Sequence, residues 1–343
     1  MEVVDSRRFV LGPAVERFEQ EVAGVLSAGH AIGVASGSDA LLVALMAAGI
    51  GPGSEVIVPA FSFFATASAA LRLGARVVFA DIDPQSFHID PVEVGRRITP
   101  RTRAVVVAHL FGDCADVEPV GRMAREHGFQ LIEDAAQAFG ALRRERFAGT
   151  FGFCGCFSFY PTKNLAALGD GGMIVTNDGK AADTIRQLAN HGIRKRYEHV
   201  TPGINSRLDA LQAAVLSVKL RHVGEWNERR REIARRYSER LRDLVTVPEP
   251  SEPNVPVFHQ YVIRTPVRDA LRDYLTSTGI GTEIYYPIPL HLQPGLAPFC
   301  GRPGDYPEAE AVAGSALALP IFPELEDDEI DRVIGAIREF IVK

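Results

Sequence analysis

Several features common in other protein classes are scarce or missing in this sequence. Its 343 residues include only four cysteines and one tryptophan. No apolar run approaches the roughly 20 residues that a membrane-spanning helix needs. The amino-terminal residues MEVVDSRRF lack the hydrophobic core of a signal peptide. We therefore expect a cytoplasmic protein that neither spans a membrane nor is secreted.

The sequence also has few residues in patterns typical of disulfide bonds, metal sites or nucleic-acid binding. Cys154 and Cys156 form a C-x-C pair, but no second pair or histidine cluster accompanies them. We predict buried free thiols in a reducing compartment and no metal site. The net charge is -6, and basic residues are scattered apart from short runs such as Arg229, Arg230 and Arg231. A nucleic-acid-binding surface would concentrate positive charge, so we expect no such partner.

Short β-rich runs alternate with helical ones in the first two-thirds of the chain. The β-rich runs are HAIGVASG, EVIVPAFSF, ARVVFADID, AVVVAHLFG, FQLIEDAAQ, CGCFSFYP and GMIVTND. Apolar strands separated by helices predict a mostly parallel sheet that is buried on both faces. The helix after the first run has clear boundaries, because Ser38 or Asp39 is placed to cap its start and Gly49 follows its end.

The composition changes near residue 220. The segment NERRREIARRYSERLRDL has the pattern of a long charged helix, and the proline-rich stretch VPEPSEPNVPVF follows it. The remaining residues alternate strand and helix patterns. We therefore predict a large α/β domain over residues 1–222 and a smaller α+β domain over residues 223–343.

Polar residues that could serve chemistry stand where strands end. Gly37, Ser38 and Asp39 follow the first strand and open a helix, and a helix start suits a phosphate group. Asp134 ends the strand of LIEDAAQAFGA, with Gln137 three residues later. A carboxylate there can pair with a cationic ring nitrogen, and an amide can hold a phenolic oxygen. The alternatives are a plain capped helix for the first segment and a helix cap for Asp134. No G-x-G-x-x-G motif is present, which argues against a dinucleotide-binding enzyme.

Lys163 lies between an aromatic strand and a glycine-rich turn, in FSFYPTKNLAALGDGG. Partial burial beside aromatic residues would lower the pKa of its amine and make it a better nucleophile. A lysine that forms Schiff bases, an aspartate for a pyridinium nitrogen and a helix end for a phosphate are together the requirements of pyridoxal phosphate.

The sequence resembles the DegT/DnrJ/EryC1/StrS family of sugar aminotransferases, which have the fold type I architecture of the aspartate aminotransferase superfamily. The matching motifs are SGSDALLVAL, PAFSFFATA, FADIDP, HLFGDCADV, IEDAAQAFGA, CFSFYPTKNLAALGDGGMI, GINSRLDALQAA, YYPIPLHLQP and LPIFPEL. They extend over nearly the whole chain. The resemblance implies pyridoxal 5′-phosphate as cofactor. It also implies a large domain with a mostly parallel seven-stranded sheet flanked by helices, plus a smaller C-terminal α+β domain.

The resemblance assigns roles to particular residues. Lys163 matches the lysine that binds the cofactor covalently, Asp134 the carboxylate at the ring nitrogen, and Gln137 the amide near the phenolic oxygen. The expected contacts to the rest of the cofactor are Ser38, Asp39 and Ser158 to the phosphate, Phe63 stacked on the ring, and Asn205 reaching the phosphate of a neighbouring subunit. The last contact implies a homodimer with shared active sites.

Other assignments are less specific. His109 matches a histidine usual in the family, with a structural hydrogen bond as the alternative to catalysis. The residues that could contact substrate are His191, Arg194, Lys195, Arg196, Tyr197, Arg207, Tyr285, Tyr286 and His291. For the basic segment the alternative is a solvated loop, and for Arg207 it is a salt bridge between subunits.

The expected reaction is transfer of an amino group from L-glutamate to a nucleotide-linked ketosugar. The 3-keto position of a UDP- or dTDP-sugar fits best, for amino-sugar, cell-surface polysaccharide or antibiotic biosynthesis. The alternatives are a 4-ketosugar or a cyclitol aminotransferase. Related sugar dehydratases have histidine where this chain has Lys163, which disfavours that activity. A non-enzymatic regulatory relative is disfavoured because the lysine, Asp134, Gln137 and Asn205 are all retained.

Overall fold

The computed structural model describes residues 2–250, 253–299 and 301–342. The α-helices are α1 (Glu2–Ser6), α2 (Pro13–Val25), α3 (Gly37–Ala47), α4 (Ala65–Arg72), α5 (Pro91–Arg97), α6 (Glu118–His127), α7 (Gly179–Ala189), α8 (Ala210–Leu220), α9 (Val223–Leu241), α10 (Arg268–Ser277), α11 (Pro307–Ser315) and α12 (Asp327–Val342). Short 3-10 helices cover Leu110–Gly112, Leu290–Leu292 and Pro294–Phe299.

The strands are short, as the β-rich runs of the sequence predict. They are β1 (His30–Val34), β2 (Glu55–Pro59), β3 (Arg76–Ala80), β4 (Thr102–Ala108), β5 (Gln130–Asp134), β6 (Leu142–Arg143), β7 (Arg146–Phe147), β8 (Cys154–Ser158), β9 (Gly172–Thr176), β10 (Ile193–Lys195), β11 (Glu198–His199), β12 (Asn254–Val255), β13 (Tyr261–Arg264) and β14 (Ala316–Leu319).

The main sheet has seven strands in the order β1-β9-β8-β5-β4-β2-β3. Strand β9 runs antiparallel to both of its neighbours, and the other pairs in this sheet are parallel. The prediction of a mostly parallel seven-stranded sheet is confirmed. Because β1, β5 and β8 run in the same direction, their carboxyl ends lie at one edge of the sheet.

Helices cover both faces of this sheet because successive strand residues point to opposite sides. On β2 and β4, Val56 and Val106 pack into the cluster that includes α3, α4 and α7. Their neighbours Ile57 and Val105 pack into the cluster that includes α5 and α6. At the β1 end of the sheet, α2 and α8 cover this second face. The central residues of these strands are therefore mostly apolar on both faces, and polar residues stand mainly at the strand ends.

The start of α3 differs from the sequence prediction in one respect. The cap is Ser36, whose hydroxyl accepts a hydrogen bond from the Asp39 N–H at 3.1 Å. Ser38 and Asp39, which the sequence suggested as caps, already lie inside the helix. Gly49 follows the helix with a positive φ of 73°, as expected for a residue that ends a helix.

The last third of the chain forms its own apolar cluster. Helices α9, α10 and α12 pack around the antiparallel pair β13–β14, with Tyr237 and Tyr261 fully buried between them. The long charged helix predicted near residue 227 is α9. The boundary between residues 222 and 223 stays a prediction. Within the described ranges, every helix is too short or too polar to cross a membrane.

Candidate active site

A cavity of about 590 Å³ lies at the sheet edge where β1, β4, β5 and β8 end. Its wall is completed by two segments from the last third of the chain, at residues 259–260 and 285–286. Of the site residues predicted from the sequence, those that line it are Ser38, Phe63, His109, Asp134, Gln137, Ser158, Lys163, Tyr285 and Tyr286. Residues far apart in sequence thus converge at the position where ligands bind in open α/β sheets.

The start of α3 forms one end of the cavity. Gly37 approaches Ser158 so closely that an added Cβ would lie 2.6 Å from the Ser158 Cβ. The Ser36 hydroxyl accepts a hydrogen bond from the Asp39 N–H. Among the described residues, the N–H groups of Gly37 and Ser38 have no acceptor. These two donors, the helix dipole and the Ser158 hydroxyl suit a phosphate group. The predicted contact from Asp39 needs correction, because its N–H is occupied and the residue does not line the cavity.

Asp134 ends β5 and is buried in the cavity wall. Its Oδ2 accepts a hydrogen bond from Thr66 Oγ1 at 2.7 Å, and its Oδ1 accepts a long one from the Ala136 N–H at 3.3 Å. Burial raises the pKa of this carboxyl, while the Thr66 hydroxyl, the Ala136 N–H and the cation of Lys163 oppose that rise. No helix begins after Asp134, so the capping alternative is wrong.

The Gln137 amide is held at both of its polar atoms. Its Oε1 accepts a hydrogen bond from the Phe111 N–H at 2.6 Å, and its Nε2 donates to Tyr286 Oη at 3.0 Å. With the carbonyl oxygen occupied, the second N–H of the amide remains for the cavity. A donor there suits a phenolic oxygen of a ligand. Tyr286, predicted as a substrate contact, thus also fixes the orientation of Gln137.

Lys163 follows β8 in a turn, where its N–H donates to the Tyr160 carbonyl at 2.8 Å. Burial lowers the pKa of its amine to about 8, and the attraction of Asp134 offsets only part of that effect. Within the part of the chain that the structure describes, Nζ has no hydrogen bond or salt bridge. The amine is therefore mostly protonated at pH 7, but it loses its proton far more readily than an ordinary lysine and about half of it is neutral near pH 8.

His109 contacts the cavity but has no free ring nitrogen. The Ala115 N–H donates to its Nδ1 at 3.1 Å, so the ring proton is on Nε2, which donates to Glu133 Oε2 at 2.8 Å. A general base would need one nitrogen open to the substrate. The geometry favours the structural alternative for His109.

Phe63 and the two tyrosines form the aromatic side of the cavity. Phe63 is 53% exposed, and its ring centroid lies 6.1 Å from that of Tyr286. An exposed ring at the mouth of a buried polar site is free to stack on a flat ligand. Tyr285 packs edge-on against Tyr286 at 5.8 Å.

Besides Asp39 and the basic segment described below, four predicted residues do not line this cavity. Asn205 and His191 are exposed, and Arg207 donates to Asn190 Oδ1 at 2.7 Å. His291 is fully buried, where its Nε2 contacts Glu310 Oε1 at 3.0 Å. The substrate role predicted for His291 needs correction in this structure, because Phe79 and Tyr306 also enclose its ring.

The basic segment before Asn205 forms a hairpin of β10 and β11. Its residues are largely exposed, and Tyr197 is 82% exposed with the Arg196 guanidinium over its ring. Arg194 and Lys195 both pair with Glu198. The hairpin lies outside the cavity of its own chain.

Several residues of the site were not predicted from the sequence. Ser62 lines the cavity and bonds to the fully buried Thr66. Both lie in PAFSFFATA, where the alternation of small and aromatic residues hides them. His259 and Gln260 belong to a strand-like segment, VFHQYVIR, with no chemical pattern of its own. Burial, reinforced by the cations of Lys163 and Arg230, lowers the pKa of His259 well below its ordinary value.

A second groove of about 380 Å³ continues from the main cavity. The two share Thr162, His259, Gln260 and Tyr285 in their walls. Among the described residues, four buried polar atoms of groove-lining side chains have no hydrogen-bond partner, namely Arg230 Nε, His259 Nδ1, Gln260 Oε1 and Thr282 Oγ1. The main cavity therefore extends into a polar space that can accommodate a ligand larger than a cofactor.

The chemistry of this donor set matches one cofactor. An amine of lowered pKa, a buried carboxylate, an amide donor and a helix start converge, as pyridoxal phosphate requires. Together with the sheet topology, this defines a pyridoxal phosphate-dependent enzyme of fold type I. Within the described residues, no cluster of three or more His, Cys, Asp or Glu side chains could hold a metal. Cys114, Cys154 and Cys156 are buried and free, while Cys300 lies outside the described residues.

The chain belongs to the DegT/DnrJ/EryC1/StrS aminotransferase family, whose model matches residues 1–338. Enzymes of this family depend on pyridoxal phosphate. The chain is 48% identical to a "Pleiotropic regulatory protein" of Geobacillus stearothermophilus, over 99% of this chain and 92% of that one. It is 45% identical to a dTDP-3-amino-3,4,6-trideoxy-alpha-D-glucose transaminase of Streptomyces venezuelae, over 98% of this chain and 90% of that one.

The fold matches a solved structure of the same class. The crystal structure of DesV from S. venezuelae in complex with a ketimine intermediate has a TM-score of 0.98 and 44% sequence identity. The match covers 100% of this chain and 93% of the other. The architecture predicted from the sequence is confirmed.

Proposed function

We propose that this protein transfers the amino group of L-glutamate to the 3-keto carbon of a nucleotide-linked sugar, a UDP- or dTDP-hexose. The observation that carries the proposal is the convergence of Lys163, Asp134 and Gln137 on one cavity beside a helix start. The similarity to a transaminase named for a dTDP-3-amino sugar supports the choice of C3. The product would enter amino-sugar, cell-surface polysaccharide or antibiotic biosynthesis.

Each residue has a defined task in this reaction. When bound, pyridoxal phosphate supplies the carbonyl that carries the amino group and a ring that accepts the electron pair released at the donor's α-carbon. Asp134 pairs with the ring nitrogen and keeps it protonated. Lys163 would hold the cofactor covalently between turnovers, and its free amine would accept the proton released at the donor's α-carbon. The N–H groups of Gly37 and Ser38, with the Ser158 hydroxyl, hold the phosphate.

We also propose that the working unit is a cytoplasmic homodimer with shared active sites. Three segments joined by hydrogen bonds carry exposed apolar side chains: the segment at Phe9, helix α8 and the segment at Leu168. The Ala210 N–H at the start of α8 donates to the Phe9 carbonyl, and the Leu168 N–H donates to Gln212 Oε1 on α8. Leu168 is 73% exposed and Val10 is 58% exposed. Such a surface suits a second copy of the chain. That copy would bring Asn205 and the β10–β11 hairpin to its neighbour's cavity.

The alternatives have less support. The relative named as a regulator leaves a non-enzymatic role open, but such a role needs neither a free amine nor a buried carboxylate in one cavity. A sugar dehydratase is disfavoured by Lys163. No contact in the cavity favours a 4-ketosugar or a cyclitol over a 3-ketosugar.

The test is an assay of the purified, cofactor-loaded protein with L-glutamate and a panel of UDP- and dTDP-linked 3-keto and 4-keto sugars. We expect 2-oxoglutarate to form with a 3-ketosugar, and borohydride to leave the cofactor attached to Lys163. Lys163→Ala should abolish turnover, whereas Lys180→Ala, an exposed lysine on α7, should not change it. Absence of 2-oxoglutarate with every sugar would refute the proposal, and faster turnover with a 4-ketosugar would correct the position.

A further inference from the structure

A line of two buried hydroxyls leads to the Asp134 carboxylate. Ser62 follows β2, and Thr66 lies in the first turn of α4 with no exposed surface. Thr66 Oγ1 is 2.7 Å from Asp134 Oδ2, and Ser62 Oγ is 2.8 Å from Thr66 Oγ1. An ionised carboxylate only accepts hydrogen bonds, so Thr66 must donate its single proton to Asp134. Ser62 must then be the donor to Thr66, so both hydrogen bonds are donated in the direction of Asp134.

This placement of the threonine is unusual for its position in the chain. Near a helix start, threonine hydroxyls commonly bond to the local backbone. The Thr66 backbone N–H does bond locally, to the Phe63 carbonyl at 3.1 Å. Its hydroxyl bonds instead to a carboxylate that lies 68 residues away in sequence. Helix formation alone does not require this contact.

Asp134 depends on this hydroxyl because it has few other partners. Among the described residues its carboxylate accepts hydrogen bonds only from Thr66 and, at 3.3 Å, from the Ala136 N–H. Burial raises the pKa of Asp134, and the Thr66 hydroxyl is the first of the groups that lower it again. Loss of that donor would raise the pKa of Asp134 further and shift the carboxyl towards its protonated form. A protonated Asp134 could not keep a ring nitrogen charged.

We propose that Thr66 is a positioning residue for the transfer reaction, whose hydroxyl holds Asp134 ionised and in one orientation towards the cavity. Ser62 orients Thr66 by donating to it. The inference rests on the proposed function, because Asp134 acts on the cofactor in that reaction. Neither hydroxyl touches the reacting atoms.

The test uses the loaded protein and three variants. Thr66→Val keeps the shape and removes the hydroxyl, Thr66→Ser keeps the hydroxyl, and Ser62→Ala removes only the donor to Thr66. The first readout is the ¹⁵N NMR signal of cofactor labelled at its ring nitrogen, which separates the protonated from the neutral ring. The second is the rate of the half-reaction with glutamate, and the third is the unfolding temperature.

Thr66→Val should move the ring-nitrogen signal towards the neutral form. It should also slow the half-reaction roughly 10- to 100-fold, as loss of a hydrogen bond to a charged group predicts, with little change in the KM for glutamate. Thr66→Ser should restore both, and Ser62→Ala should shift the signal in the same direction by less. The matched control is Thr184→Val, since the Thr184 hydroxyl is exposed and bonds only to the Lys180 carbonyl. It should change neither readout.

A lower unfolding temperature for Thr66→Val with an unchanged ring-nitrogen signal would overturn the proposal and leave a structural role. If Thr66→Val does not fold, Ser62→Ala decides by the same signal. A wild-type protein that forms no 2-oxoglutarate would refute the proposed function and with it the role of Thr66 in transfer, whereas a ring-nitrogen signal that still responds to Thr66→Val would support the effect of Thr66 on Asp134.

Discussion

Two buried carboxylates stand next to each other in β5 and differ in almost every other respect. Glu133 and Asp134 point to opposite faces of the sheet, because adjacent strand residues alternate. Glu133 accepts hydrogen bonds from His109 Nε2 at 2.8 Å and from three backbone N–H groups, those of Gly149, Phe151 and Gly152, at 2.7 to 2.8 Å. Within the described ranges, Asp134 accepts one short hydrogen bond, from Thr66, and a longer one from the Ala136 N–H.

The difference shows how one strand can provide both a structural and a functional acid. A buried carboxylate whose hydrogen-bonding capacity is filled by the protein stabilises the fold and is closed to ligands. That is the environment of Glu133, which ties His109 and the segment before β8 to the sheet. Asp134 keeps unused capacity and lies beside the Lys163 amine in the same cavity. The protein fills less of the hydrogen-bonding capacity of Asp134 than of Glu133, so a ligand can bind to the remaining capacity of Asp134.

The largest expected effect is on catalysis at Asp134. Asp134→Asn should lower kcat roughly 100- to 1,000-fold, because a neutral amide cannot support charge on the ring nitrogen. Steady-state rates with glutamate and the ketosugar, and an unfolding curve, measure this. Asp183→Asn, at an exposed position on α7, is the control. Unchanged kinetics in the Asp134 variant would remove it from the reaction.

At Glu133 the expected effect is on stability. Glu133→Gln replaces an acceptor by an NH₂ group that faces N–H donors, and should lower the free energy of unfolding by about 3 kcal/mol. Urea unfolding of the variant and of Glu126→Gln, an exposed position on α6, checks this. If Glu133→Gln folds as stably as wild type but is inactive, the contrast between the two carboxylates is wrong.

The smallest effect concerns the amine that faces Asp134. Folding lowers the pKa of Lys163 from 10.5 to about 8. Below pH 8 the amine is mostly protonated in both states, but the folded chain binds this proton more weakly than the unfolded chain does. The unfolded chain binds more protons between pH 8 and 10.5, and wild-type stability should therefore rise with pH over that range. Freed of cofactor, Lys163→Met should be more stable than wild type at pH 7, by on the order of 3 kcal/mol at most.

This advantage of the variant should shrink as the pH approaches 10.5. Urea unfolding of both cofactor-free proteins at pH 7, 8.5 and 10 gives the comparison. Lys180→Met, at an exposed site, should show no such trend. A Lys163 variant that is less stable at pH 7, or a difference that grows with pH, would contradict a desolvated amine.

The seven strands of the main sheet could be predicted because each is a short, largely apolar run with a clear end. Asp134 and Lys163 could be found because they stand at or shortly after the ends of such runs. The predicted caps of α3, Ser38 or Asp39, lie two or three residues after the actual cap, since several polar side chains surround the helix start and only the backbone geometry identifies Ser36. His291 looked like a substrate contact by its position in the chain, but packing encloses it.

By itself, the sequence determined the layered α/β fold and the kinds of chemical group at the strand ends, because hydrophobic periodicity and turn residues act locally. Only the tertiary structure decided which groups share a cavity. It joined Thr66 to Asp134, Tyr286 to Gln137, and His109 to Glu133. Hydrogen bonds between residues far apart in sequence depend on how layers pack, and local patterns do not encode that packing.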